Sequence, residues 1–267
     1  MLKEELSISR SEEQRVLELA MEMGQILLQS GAEIFRVEDT MRRVCRYYHL
    51  EDCDLLVLGN GILSSTRDLK KIPLTRIRYT PFRGARFNRI VAINQLSREI
   101  GEGKYPDIGE VERKVAEIEK MPVIPNLLGY FASALAAGSF CVLFGGSITD
   151  TVTAFVAGWL LHVFLLHPGK KMSSILSNIL GGALISVMCL LSYRLGFGDD
   201  LSPMMSGGIL PLVPGVAFTN GIRDIGSGDY HSGTVRLLDA LWTFICIAIG
   251  VGAVFGVYQH FTGGTIL

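Results

Sequence analysis

The residues best suited to chemistry lie late in the chain, in Gly207-Gly-Ile-Leu-Pro-Leu-Val-Pro-Gly-Val-Ala-Phe-Thr-Asn-Gly-Ile-Arg-Asp224. Arg223 and Asp224 follow Asn220 by three and four residues, so on a helix all three share a face. An amide, a guanidinium and a carboxylate together can orient a carboxylate-bearing solute and carry a proton. Just before them, Pro211 and Pro214 lack amide donors, so the carbonyls of Gly207 and Leu210 lose their helical partners. The stretch is apolar enough for lipid, where irregular backbone survives only when buried in protein or lining a wet cavity. It reads as a broken membrane helix. A restart near Gly215 turns the positive end of a helix dipole towards the break, a place where an anion is held. The plainer reading is a packing kink, with Arg223 and Asp224 in the loop where the helix leaves the bilayer.

The loop that follows, Asp224-Ile-Gly-Ser-Gly-Asp-Tyr-His-Ser-Gly233, adds Asp229, so that either Asp224 or Asp229 could carry a proton. An enzyme would have to draw on Asp224, Asp229 and His231 here, yet the three glycines suit a mobile hinge or gate better. No G-x-S-x-G, H-E-x-x-H or glycine-rich phosphate loop occurs. The expectation is a protein without catalytic residues, metal or cofactor.

Charge divides the chain that must position these residues. Twenty basic and twenty acidic residues fall before Val123, leaving five basic and six acidic after it. The front is soluble in character and the back is membrane. Balanced charge in both parts argues against a nucleic-acid binder. The five cysteines, Cys45, Cys53, Cys141, Cys189 and Cys246, show no C-x-x-C and read as small apolar residues. Met-Leu-Lys-Glu-Glu at the start lacks the basic-then-apolar order of a signal peptide, which places the front in the cytosol.

Residues 1–122 read as a small cytoplasmic α+β domain. Ser11-Glu-Glu-Gln14 is a capping box ahead of an amphipathic helix that stops at Gly31. A second helix begins near Ala32-Glu33, giving an antiparallel pair. Asp54 to Ser65 and Leu74 to Thr80 read as strands joined by the polar turn Thr66 to Lys71, at least a hairpin. Two amphipathic helices close the domain, Asn88 to Ile100 and Ile108 to Lys120. The basic cluster from Arg67 to Arg89 could face anionic lipid, but a solvated strand face paired with acids elsewhere fits it better. Glu33, Arg36, Glu38 and Asp39 read as surface pairs of small worth.

Residues 123–267 read as a membrane domain of about five transmembrane helices, over 123–144, 148–167, 174–195, 204–221 and 237–258. Lys170, Lys171, Arg223 and Arg236 fall on one side, against Asp150, Asp199, Asp200 and only Arg194 on the other. The amino terminus is therefore inside and the carboxyl terminus outside. Gly181-Gly182 and Gly252-Ala-Val-Phe-Gly256 mark close helix packing, and His162 and His167 read as interfacial anchors.

Two stretches carry a family resemblance. Leu28-Gln-Ser-Gly-Ala-Glu-Ile-Phe-Arg-Val-Glu-Asp-Thr-Met-Arg-Arg43 resembles the opening cytoplasmic segment of the threonine/serine exporter family. Pro211 to Asp224, continued by Gly228-Asp-Tyr-His-Ser-Gly233, is similar to that family's membrane signature. The resemblance implies a secondary exporter that moves small amino acids, chiefly threonine and serine, out of the bacterial cytoplasm on the proton gradient. Members built as two polypeptides are linked to dicarboxylate (succinate) export. One-chain members carry about twice as many spans, so the resemblance implies the larger subunit of a two-component form and a second, smaller membrane subunit as partner. It also carries Pro211, Pro214, Gly215, Asn220, Arg223 and Asp224 over as pathway residues. The expected setting is the bacterial inner membrane and its lipid bilayer, with homo-oligomerisation left open. The alternative is a membrane-anchored sensor or scaffold that acts through its cytoplasmic domain.

Overall fold

The computed structural model describes residues 2–50, 53–66, 75–81, 84–122 and 125–262. The turn expected at Thr66 to Lys71, and with it Arg67, Lys70, Lys71 and also Arg83, falls almost wholly outside them. The chain packs as two compact units: Met1–Val123 with Val216–Leu238, and Ile124–Gly215 with Asp239–Leu267.

In the first unit, α1 (Leu2–Gln29) and α2 (Ile34–Tyr47) pack together, with α3 (Phe87–Gly101) and α4 (Ile108–Glu119) beside them. Helix α1 begins at Leu2, so Ser11 lies within it and the capping-box start is corrected. The stop at Gly31 holds. Gly31 takes φ +84°, its amide donates to Leu28 and that of Ala32 to Leu27, which is the Schellman arrangement of a helix end. The fully buried Leu17, Met21, Leu27 and Val37, Met41, Val44 supply the facing apolar stripes.

Three strands cover this core, β1 (Cys53–Leu58), β2 (Gly61–Thr66) and β3 (Thr75–Tyr79), in antiparallel order β1-β2-β3. The expected run from Asp54 to Ser65 is therefore two strands, because Gly59-Asn60 is itself a two-residue hairpin turn. Leu55, Val57, Ile62 and Ser64 face inwards. Arg76 pairs with Glu18, Arg78 donates to Gln25 and Arg89 to the carbonyls of Glu119 and Met121. Three described members of the basic cluster, Arg76, Arg78 and Arg89, are thus partnered within the fold.

The second unit holds α5 (Asn126–Leu143), α6 (Ile148–Leu166), α7 (Ser174–Arg194) and α8 (Leu201–Ile209), with the later part of α10 (Tyr230–Thr262). Small residues bring α5 and α6 close: a Cβ on Gly158 would lie 2.6 Å from that of Ala137. Gly182 on α7 sits against the backbone of Ile247 on α10, where a Cβ would meet the Ile247 carbonyl at 2.8 Å. Among the described residues nothing lies within 4 Å of where a Cβ on Gly252 or Gly256 would stand, so within them the pair expected to pack makes no close approach. Gly250, two residues before Gly252 and so on the opposite face of the helix, takes that role against Ile179.

At the other end of the spans, the carboxylate of Asp150, 1% exposed, accepts from the amides of Ser147, Asp199 and Asp200 and ties two loops together. Four helices among the described residues are long and apolar enough to cross a membrane: Asn126–Leu143, Ile148–Lys171, Ser174–Arg194 and Tyr230–Thr262. A fifth arises if the broken pair Leu201–Leu212 and Gly215–Gly226 is one span.

Candidate functional site

The break falls where the prolines put it. Helix α8 ends at Ile209, residues Leu210–Leu212 form a 3-10 turn, and Val213 is extended at φ −64°, ψ 124° ahead of Pro214. Both carbonyls that the prolines orphan find new partners three residues on, Gly207 O from Leu210 N and Leu210 O from Val213 N. A tighter turn thus repairs what the α-helix cannot. Helix α9 (Gly215–Gly226) restarts at the expected residue, with the Gly215 amide donating to Val213 O at 2.8 Å.

Helix α9 and the start of α10 form a tight hairpin in the first unit. Only Ser227, Gly228 and Asp229 lie between them, and Gly228 alone needs the left-handed region, at φ +90°. Gly233, expected in a mobile hinge, is instead a point of helix approach. A Cβ there would stand 2.8 Å from Gly221 O, and one on Gly221 would stand 3.1 Å from Gly233 O. Asp229 caps α10, accepting the Ser232 amide at 3.0 Å.

Asn220, Arg223 and Asp224 do share a face, and that face meets the turn between α1 and α2. The Asn220 side-chain amide donates to Gly31 O at 2.7 Å. Asp224 Oδ1 accepts the Ile34 amide at 3.2 Å. Arg223 pairs with Glu33, and Arg236 donates to Ala32 O at 3.1 Å while standing 3.2 Å from Asp224 Oδ2. The Arg86 amide takes the one carbonyl left on that turn, Ser30 O.

Local chemistry explains why these groups meet. The residue before α2 is Glu33, whose side chain makes no cap, so the first amide of the helix needs an acceptor from elsewhere. Asp224 supplies it, 190 residues away, and its charge suits the positive end of the α2 dipole. Arg236, with 14% of its side chain exposed, balances Asp224, with 1% exposed. By contrast Arg223 keeps 65% of its side chain exposed while it holds Glu33. One ion pair is buried and fixed, the other open to solvent and competitors. Within this first unit three buried oxygens, Ser30 Oγ, Ser232 Oγ and Asp224 Oδ2, have no hydrogen-bond partner, the last lying beside Arg236 without the alignment for one.

The two quoted sequence stretches therefore fold against each other, and this can be set beside known proteins. The threonine/serine exporter (ThrE) family model matches residues 18–258. The chain belongs to the threonine/serine exporter family. It is 25% identical over 249 residues to a threonine/serine exporter of Corynebacterium glutamicum, covering 89% of this chain and 50% of that protein. It is 24% identical over 253 residues to the "Probable succinate transporter subunit YjjP" of Escherichia coli, covering 91% and 94%. A "Probable threonine/serine exporter" of Mycobacterium tuberculosis matches at 22% over 240 residues, covering 89% and 45%. The chain thus spans about half the length of the two exporters and nearly all of the third. No solved structure matches. Members of the threonine/serine exporter family are membrane transporters and not enzymes, and this one is a multi-pass membrane protein.

Sequence reasoning set Asn220, Arg223 and Asp224 on one face but missed their partners. In sequence Glu33 reads as a surface charge and Arg236 only as a topological one. The available signal was the missing cap: no Ser, Thr, Asp or Asn precedes Ile34 to serve the α2 amides.

Proposed function

We propose that this chain is one subunit of a secondary exporter in the bacterial plasma membrane. It moves small carboxylate-bearing solutes, threonine and serine or a dicarboxylate such as succinate, out of the cytoplasm. A second, smaller membrane subunit of the same family completes it, a reading supported by the near full-length likeness to a protein named as a transporter subunit. The front unit lies in the cytoplasm, because Arg223 and Arg236, on the side favoured by positive charge, are held by its α1–α2 turn.

The observation that carries this reading is the open ion pair of Arg223 and Glu33 beside the buried pair of Arg236 and Asp224. A guanidinium engaged by a carboxylate recognises the carboxylate of a solute by the same geometry. In this proposal the solute displaces Glu33 from Arg223, the amide of Asn220 helps to orient it, and Pro211, Pro214 and Gly215 keep the backbone broken along the pathway. Asp224, or Asp229 at the α10 cap, carries the coupling proton. A solute that loosens Glu33 also loosens the α1–α2 turn, which links binding to the cytoplasmic unit.

The test is efflux of preloaded labelled threonine, serine and succinate from cells expressing this chain with and without the smaller subunit. Efflux of one solute only when both chains are present supports the proposal and names the substrate. No efflux of any, with both chains verified in the membrane, overturns it in favour of a membrane-anchored sensor.

A further inference from the structure

Two of the five cysteines stand apart from the rest. Cys141, Cys189 and Cys246 are buried among the spanning helices, whereas Cys45 on α2 and half-buried Cys53 at the start of β1 line one cavity of about 280 Å³ in the first unit. The backbone brings them together. Helix α2 ends in a second Schellman arrangement, with His49 at φ +59°, its amide on Arg46 O and the Leu50 amide on Cys45 O at 2.9 Å. A non-glycine residue in that region costs about 1 kcal/mol. The strained corner turns the chain back so that Cys53 comes to lie beside Cys45.

The walls of the cavity suit a reactive thiol. Beside the cysteines stand Arg42 and Arg46, with Leu50 and Leu55 as apolar lining. Arg42 is engaged by Glu38, while Arg46 makes no ion pair among the described residues. The neighbouring Cys45 thiol favours the thiolate of Cys53 and lowers its pKa, with the Arg42 charge acting the same way, against burial and the Asp54 charge. Cys45, by its closeness to Cys53 and by burial, is pushed up. A partly exposed thiol sharing a cavity with two guanidinium groups and a buried second thiol is the arrangement of a peroxide-sensing pair.

We propose that Cys53 and Cys45 form a reversible disulfide on exposure to a hydroperoxide, Cys53 attacking and Cys45 resolving. The Cys53 thiolate attacks a peroxide oxygen; the S–O bond forms, the O–O bond breaks, and the leaving alkoxide or hydroxide departs as an alcohol or water. Cys45 sulfur then attacks the Cys53 sulfenic acid; the S–S bond forms, the S–O bond breaks, and water leaves with the Cys45 proton. Two thiols and one hydroperoxide become a disulfide, an alcohol or water, and water. Small thiols reverse the change, as a transient disulfide in a reducing compartment requires.

The test uses the full chain purified in detergent, treated with hydrogen peroxide, alkylated with iodoacetamide and digested with trypsin. The expected product is Val44–Arg46 joined to Tyr47–Arg67, released by dithiothreitol. Before oxidation, Cys53 should alkylate about tenfold faster than Cys45. Cys45→Ser should stop at a Cys53 sulfenic acid that dimedone traps, and Cys53→Ser should leave Cys45 reduced. Recovery of both cysteines singly alkylated from peroxide-treated wild-type protein would overturn the proposal, as would linkage of Cys53 to another cysteine. The wild-type arm needs no variant to fold.

Discussion

Asn220 donates its side-chain amide to the carbonyl oxygen of Gly31 at 2.7 Å, joining positions 189 residues apart. That bond, with Asp224 on the Ile34 amide and Arg236 on Ala32 O, makes the end of one helix and the start of the next depend on a distant helical hairpin. The first unit is thus built from the front of the sequence and a distant internal segment, Val216–Leu238.

The buried pair should be costly to break. Asp224→Ala removes the α2 cap and leaves Arg236 without its ion pair, and Arg236→Ala strands a carboxylate whose side chain is 1% exposed. Each should destabilise the protein by about 3 kcal/mol. The double variant should lose less than the sum, read as the midpoint of thermal unfolding in detergent. Additive losses would mean that the two residues act separately.

Gly31 needs its glycine for backbone geometry, at φ +84°. Gly31→Ala should cost about 1–2 kcal/mol, and Gly31→Asn less, since asparagine tolerates this region better. Equal unfolding midpoints for all three proteins would count against the Schellman turn.

Close packing in the second unit makes a contrast between two glycines. Gly182→Leu drives a side chain into the Ile247 backbone, while Gly252→Leu enters open space. The first variant should lower the yield of folded protein on size-exclusion chromatography and the second should behave as wild type. The reverse pattern would show that Gly252 and Gly256 do form a helix contact, with a partner outside this chain.

Acid should erase one surface contribution. Hydrogen bonds from Tyr105, Gln95 and Lys104 hold Glu99 down to about 2. A carboxyl whose folded pKa lies below its unfolded value of about 4.3 stabilises fully above that value and loses its contribution as pH falls towards the folded one. Glu99→Gln should therefore lower the unfolding midpoint slightly at pH 7 and by progressively less between about pH 4 and 2. A difference that persists unchanged at pH 3 would contradict the assignment.

Much of this was legible in the sequence. Hydrophobic period gave the amphipathic helices, apolar length gave the spans, and Pro211 with Pro214 marked the break to the residue. Alternation and turn chemistry pointed to strands, but Gly59-Asn60 was absorbed into one run because both flanks are apolar. Placement of 216–238 with the front unit was not legible, since periodicity reports which face is apolar and not what covers it. Glu33 illustrates the limit: in sequence it belongs to a group of surface charges, and only the fold brings Arg223 to it. Gly252 and Gly256 show the converse, a spacing that permits close packing without requiring it.

The most direct test exchanges the charges of the open ion pair and measures efflux. Arg223→Glu and Glu33→Arg should each abolish export of the transported solute from preloaded cells that also express the smaller subunit. Because Arg223 is also read as the solute's anchor, the double exchange should restore the α1–α2 turn and recover measurable, lower export from the relocated guanidinium at position 33. Export unchanged in either single variant, or a double variant no better than the worse single one, would contradict the account.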